Sequence, residues 1–363
     1  MTLMYRPKWT FTDNLYCQSI GGLAFSPDGL YLAYSSGGQL CVLEVDRREL
    51  MVVIQGRNTG KQLSTVTALA WMPQESFHIV CTFQDGVIAS ITRSSDQFHL
   101  AGIDSMIRSI THIALNPTGS WLAAGGAFGI SIWTTDPNKS WSFVRQLGLP
   151  QRFQANANAT VEITGIHWFE PKEDQLIVSY KCHGVQIWDV SSGKVIASIL
   201  TTSTSIGSSS LSPDCKTLAV AMQSGYDIHH LESRVPLVSI PHELNVPGPI
   251  LFVHGGLSLL GTTKEGEICL WGSVDGEKLQ TLKQSASDSW RCFAAHDKTR
   301  FLIATAVKRK IVLWEATEEG DTINSAQTDR NGQLKEHWLL MCLLSVTIAL
   351  LVNVLIAMLG PRA

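Results

Sequence analysis

The sequence predicts an all-β ring of seven small sheets, followed by a polar connector and one apolar helix. Three observations predict it. A unit of strands and turns recurs seven times at spacings of 41–53 residues, and Pro, Asp and Gly punctuate the units at corresponding places. The third is the stretch 338–359, 22 residues without a charge, in a chain whose earlier apolar runs are short.

The first unit (23–45) contains an apolar strand, a Ser26-Pro27-Asp28-Gly29 turn and two further strands around a Gly-rich turn. The pattern returns at 113–135, at 211–231 and, more loosely, at 165–190; three other stretches follow the same grammar. First strands are expected to begin near Ile20, Val66, Ile110, Ile163, Ile206, Pro247 and Trp290, giving separations of 46, 44, 53, 43, 41 and 43 residues. Four short strands with their turns need about 40–45 residues, so each unit has the length of one propeller blade. Strands such as Leu176–Tyr180 are apolar at most positions, as expected for a sheet buried on both faces.

The turns Ser26-Pro27-Asp28-Gly29, Asn116-Pro117-Thr118-Gly119 and Ser212-Pro213-Asp214, with Trp133, Trp188-Asp189, Trp271 and Trp314 on third strands, resemble the WD-repeat (WD40) propeller family over residues 4–316. The resemblance implies a seven-bladed β-propeller. Only Trp188 is followed by Asp and the family's Gly-His dipeptides are absent, so its usual buried His–Asp hydrogen bonds are not carried over. The third-strand Trp residues have the area to fill the widening gap between blades, which accounts for much of the total of 11. The seventh unit turns polar after three strands. Residues 4–11, MYRPKWTF, are expected to supply its outer strand and close the ring, as WD-repeat propellers generally do.

Residues 317–337 are polar and charged and read as a flexible linker. The 22 residues from Trp338 to Leu359 would span roughly 33 Å as a helix, against a hydrocarbon core of about 30 Å. Leu339 and Leu350 represent its apolar body, Trp338 suits the interface, and Asn353 reads as a tolerated polar residue that also offers weak helix pairing. Only residues 360–363 follow, and the N-terminus lacks an apolar secretory segment. The expectation is a tail-anchored, single-pass membrane protein with its propeller in the cytosol. The endoplasmic reticulum is favoured over the mitochondrial outer membrane because the span is long and strongly apolar. The eight Cys, without a CxxC pair, read as reduced thiols, which fits a cytosolic environment better than an extracellular one.

A net charge of −3 argues against a general nucleic-acid binder. Residues 56–62 (GRNTGKQ) are one residue short of a phosphate loop and lack its metal-binding hydroxyl, and 191–194 (SSGK) falls where a hairpin turn is expected. In 242–246 (HELNV) Val stands where a zinc protease needs its second His, and adjacent His229 and His230 face opposite ways on a strand. The Asn138 and Asn158 sequons would stay bare in the cytosol. We therefore expect no catalysis, no cofactor and no metal.

What remains is surface. The loops that join outer to inner strands and second to third strands share one face. There the candidates for binding a protein or peptide partner are Lys264, Lys308, Arg309 and Lys310 on blades six and seven, and Lys181 with His183 on blade four. Arg152 and Phe153, in the long insertion 148–162, join them as a cationic and aromatic pair suited to an interface anchor. The expected function is a membrane-tethered scaffold. In layout alone the chain also resembles the membrane-anchored propeller exchange factors that act on a small GTPase to start vesicle-coat assembly at the endoplasmic reticulum. Their extended first-blade loop corresponds here to residues 35–40, which are too short for it.

Overall fold

The computed structural model describes residues 3–14, 18–55, 64–75, 77–94, 97–106, 109–127, 129–136, 140–150, 159–170, 172, 174–201, 205–242, 247–282 and 292–318. They fall into two units, Tyr5–Glu315 and Met1–Met4 with Ala316–Ala363. In the smaller unit Thr317 Oγ1 donates to the Met4 carbonyl at 3.4 Å. The larger unit is a seven-bladed β-propeller built on seven four-stranded sheets, antiparallel throughout the pairs whose register is resolved.

Inner strands begin at Ile20, Val66, His112, Ile163, Ile206, Leu251 and Cys292. Four of these coincide with the expected starts. Blades three, six and seven begin later than Ile110, Pro247 and Trp290. In blade six the cause is local: Pro247 and Pro249 have no N–H to give a ladder, so pairing waits until Leu251. Trp290 lies outside the described residues.

Inner strands converge on the axis, and at their points of closest approach there is no room for a side chain. A Cβ on Gly165 would strike Ser209 Oγ, and one on Gly207 would strike the Pro247 ring and carbonyl. Farther out the gap widens and large side chains fill it. Trp133, Trp188, Trp271 and Trp314 are each no more than 5% exposed. Their indole N–H groups need acceptors, and three find them close by: Trp133 donates to Asp104 Oδ2 (2.9 Å), Trp188 to Tyr180 Oη (3.1 Å) and Trp314 to Thr305 Oγ1 (3.0 Å). Two hydroxyls and one carboxylate thus serve as the acceptors.

A second set of Trp residues joins neighbouring blades. Trp71 Nε1 donates to the Ala24 carbonyl (2.9 Å), Trp168 Nε1 to Ala114 (3.0 Å) and Trp9 Nε1 to Val45 (2.8 Å). These bonds cross the seams between blades one and two, three and four, and seven and one.

The seventh sheet takes its outer strand from Leu3–Thr12, beside Lys310–Glu318. Three devices hold this strand's surroundings together. The Gln280 side chain accepts from the Tyr5 N–H (2.9 Å) and donates to the Tyr5 carbonyl (2.7 Å), as a neighbouring strand would. Asp13 N–H donates to the Arg309 carbonyl and Ile20 N–H to that of Lys308. Arg300 then bridges Glu315 (2.6 Å) and Asp46 (2.9 Å), and Lys8 reaches the same two carboxylates at 3.2 and 3.0 Å.

Candidate interaction surfaces

The strands run between two faces. The upper face carries the turns between second and third strands and the connections from outer to inner strands; the lower face carries the other two sets of turns. On the upper face, Lys264 is exposed in a turn closed by the Thr263 N–H to Glu267 carbonyl bond (2.8 Å). Lys308 and Arg309 are exposed on the two-residue turn of blade seven, while Lys310 is half-buried at the start of the following strand. Lys308 has φ of 50°, a strained value for a non-glycine residue, and its carbonyl is fixed by Ile20. Those side chains therefore project from a rigid base.

Blade four differs from the expectation. Lys181 is exposed but pairs with Glu162 at 2.8 Å, which raises its pKa. His183 is fully buried, with its ring edge-on to Tyr180 at 6.3 Å, so its side chain is not part of the surface. The turn is short enough to fold its last side chain back between sheets. Arg152 and Phe153 lie outside the described residues, as do Trp338, Leu339, Leu350, Asn353 and Leu359. Among the described residues no helix is long and apolar enough to cross a membrane. The corresponding first-blade connection is only Gly37-Gly38, with φ of 58° at Gly37.

The inner strands carry a small polar group. His167 Nε2 lies 3.0 Å from Ser209 Oγ, which accepts a hydrogen bond from Ser179 Oγ at 2.7 Å. Burial holds the His167 imidazole down at about 4, with nearby His112 adding to the shift. His112 is lowered to about 4 by burial, against the opposing pull of Glu162. A Ser–His contact needs a third group to orient the base and donors to receive an oxyanion. No such orienting partner to His167 exists among the described residues, and none of their His, Cys, Asp and Glu side chains form a group of three that could hold a metal.

The lower face holds what the sequence reading passed over. Five large apolar side chains stand exposed on its turns: Leu30, Val235, Leu257, Val274 and Phe301, with Leu257 at 71% and Val274 at 81%. They belong to blades one, five, six and seven; the described lower turns of blades two to four carry none. Beneath them His254, Gly255 and Gly256 turn left-handed, with φ of 57°, 61° and 93°. Only glycine adopts this at no steric cost, so His254 must be held there. Tyr5 stacks on its ring at 4.9 Å and Phe301 meets it edge-on at 5.0 Å, while Gly255 N–H donates to Asp297 Oδ2 at 3.1 Å. Burial first, and then the Asp297 charge, raises the Tyr5 phenol above its ordinary range. Tyr5 is thus a plug between blades six and seven, and it fixes the base from which Phe301 and Leu257 project.

Further exposed apolar residues lie on the rim. Val144, Ile196, Leu237 and Leu279 are each the extra residue of a β-bulge between third and outer strands in blades three to six. Bulges twist an edge away from pairing with another strand.

No known family model matches the chain, and no curated protein matches it.

Proposed function

We propose that this propeller is a non-catalytic scaffold that presents a protein or peptide partner at the cytosolic face of an organelle membrane, with 338–359 as its anchor. The observation that carries the reading is the uncharged 22-residue stretch joined, through a polar connector, to a propeller. Propellers typically serve as interaction scaffolds. Six free cysteines among the described residues, four of them buried, suit a reducing compartment. Tethering makes weak partner affinity sufficient, because it confines both molecules to one surface. On this reading Lys264, Lys308 and Arg309 are the cationic contacts on the upper face, and the length and apolarity of the span favour the endoplasmic reticulum.

Proximity labelling from the full chain, compared with a form lacking 338–363, tests it. We expect cytosol-facing membrane neighbours that are lost on truncation. Labelling confined to lumenal proteins, or unchanged by truncation, would overturn the proposal.

A further inference from the structure

We infer that the lower face of blades five, six, seven and one is a membrane-contacting surface, whose apolar turn tips enter the headgroup region of a neutral-lipid bilayer. The inference rests on the anchoring role proposed for 338–359 and adds the orientation of the propeller. Its first support is where the propeller unit ends. Glu315, its last residue, lies on the lower face, where Arg300 of the blade-seven turn holds its carboxylate at 2.6 Å. The polar residues 317–337 come next in sequence, before the apolar stretch 338–359. The chain therefore leaves the propeller unit toward the proposed anchor from the face that carries the apolar tips.

The second support is distribution. The exposed apolar tips flank that departure point and are missing from the described lower turns of the three blades across the ring. Turn tips normally carry polar residues, so Leu257 and Val274 are out of place in water. The rim residues Val144, Ile196, Leu237 and Leu279 do not compete for this role, since a flat surface cannot touch four successive blades edge-on.

Charge selects the lipid. Arg234, Lys298 and Arg300 stand in the same turns as the apolar tips, but so do Asp28, Glu232, Asp275, Glu277 and Asp297. A set with more acidic than basic groups gives no pull toward anionic headgroups, which would need a cationic cluster. Insertion of apolar tips into a zwitterionic surface is what this chemistry allows. The tether supplies the local concentration that so few side chains need. The upper face then points away from the bilayer, open to partners.

The test places the photo-crosslinking residue p-benzoylphenylalanine at Val274 or at Lys264 in the full chain, reconstituted into phosphatidylcholine vesicles containing radiolabelled lipid. Both sites are exposed turn positions, so neither substitution burdens the core. Strands of about six residues at roughly 3.3 Å each set the two faces about 20 Å apart, so the lipid adduct should be at least about tenfold greater at Val274. Release of the chain from vesicles by alkaline carbonate would defeat the anchor itself. Retention with equal adducts at both sites would defeat only this inference. Protein–protein adducts at Val274 in place of lipid ones would assign the face to a second copy and equally overturn it.

Discussion

Trp71, Trp168 and Trp9 each spend a large apolar area inside one seam and one N–H on a backbone carbonyl of the adjoining blade. The carbonyl is the point of interest. Replacing Trp168 by Phe keeps most of the packing but leaves the Ala114 carbonyl without that donor, an expected loss of about 1 kcal/mol. Trp168→Ala removes the packing as well and should cost about 3–5 kcal/mol. Urea denaturation of both variants measures the difference; equal losses would show that the hydrogen bond carries no weight. The turn Ser26-Pro27-Asp28-Gly29 is a second residue-scale device. Ser26 Oγ accepts from Tyr31 N–H at 2.9 Å and donates to Asp28 Oδ1, which accepts from Leu30 N–H at 3.0 Å. Ser212 and Asp214 repeat it with Thr217 and Lys216. The spacing of these residue types was readable directly from the sequence, because the hydrogen bonds are local.

At the scale of elements, the N-terminal strand is the exposed point of the design. It joins a sheet whose other strands are some 300 residues away in the chain, so it gains nothing from local propensity. Its security comes from Gln280 and from the Arg300, Asp46, Lys8 and Glu315 cluster. Hydrogen bonds from Lys8, first, and Arg300 hold the Asp46 carboxyl below the usual range. A carboxylate lowered on folding contributes stability that is present above its unfolded value of about 4 and lost as pH falls through the folded one. Asp46 is 54% exposed in its side chain, so water screens most of this and Arg300→Ala should cost under about 1 kcal/mol, less in high salt. Deleting residues 1–12 is a different matter. It uncovers the outer edge of Lys310–Glu318 and removes Tyr5 and Trp9 together, so the melting temperature should fall sharply. An unchanged midpoint would refute the closing role of this strand.

For the molecule as a whole, the inner strands set a pH dependence. His112 and His167 are both held near 4 in the fold against about 6.5 unfolded, because burial disfavours the imidazolium. The unfolded chain therefore binds protons first as pH drops. Stability should be full above about pH 6.5 and decline progressively toward pH 4. His167→Gln, which keeps a hydrogen-bonding group for Ser209, should flatten part of that slope in urea midpoints measured from pH 7.5 to 4.5. A parallel slope in the variant would assign the effect to other groups. The blade count was legible because each blade repeats the same local code. His183 was misplaced for the opposite reason. Its turn reads as surface, but the neighbouring sheets decide where the ring lies, and they bury it. The lower-face tips left a weaker signal, apolar Leu257 and Val274 where turns prefer polar residues, and that signal gains meaning only when the ring brings blades five, six, seven and one side by side.

The sequence by itself determined the sheet number, the turn positions and the Trp sites, since these follow from strand alternation, turn chemistry and side-chain size over a few tens of residues. It also set apart 338–359 by composition. Tertiary structure alone decided which face gathers the exposed apolar tips, where the His183 ring lies, and which carbonyls the Trp side chains reach across the seams. Those depend on contacts between residues far apart in the chain, and no local preference encodes them; only closure of the ring brings the partners within bonding distance.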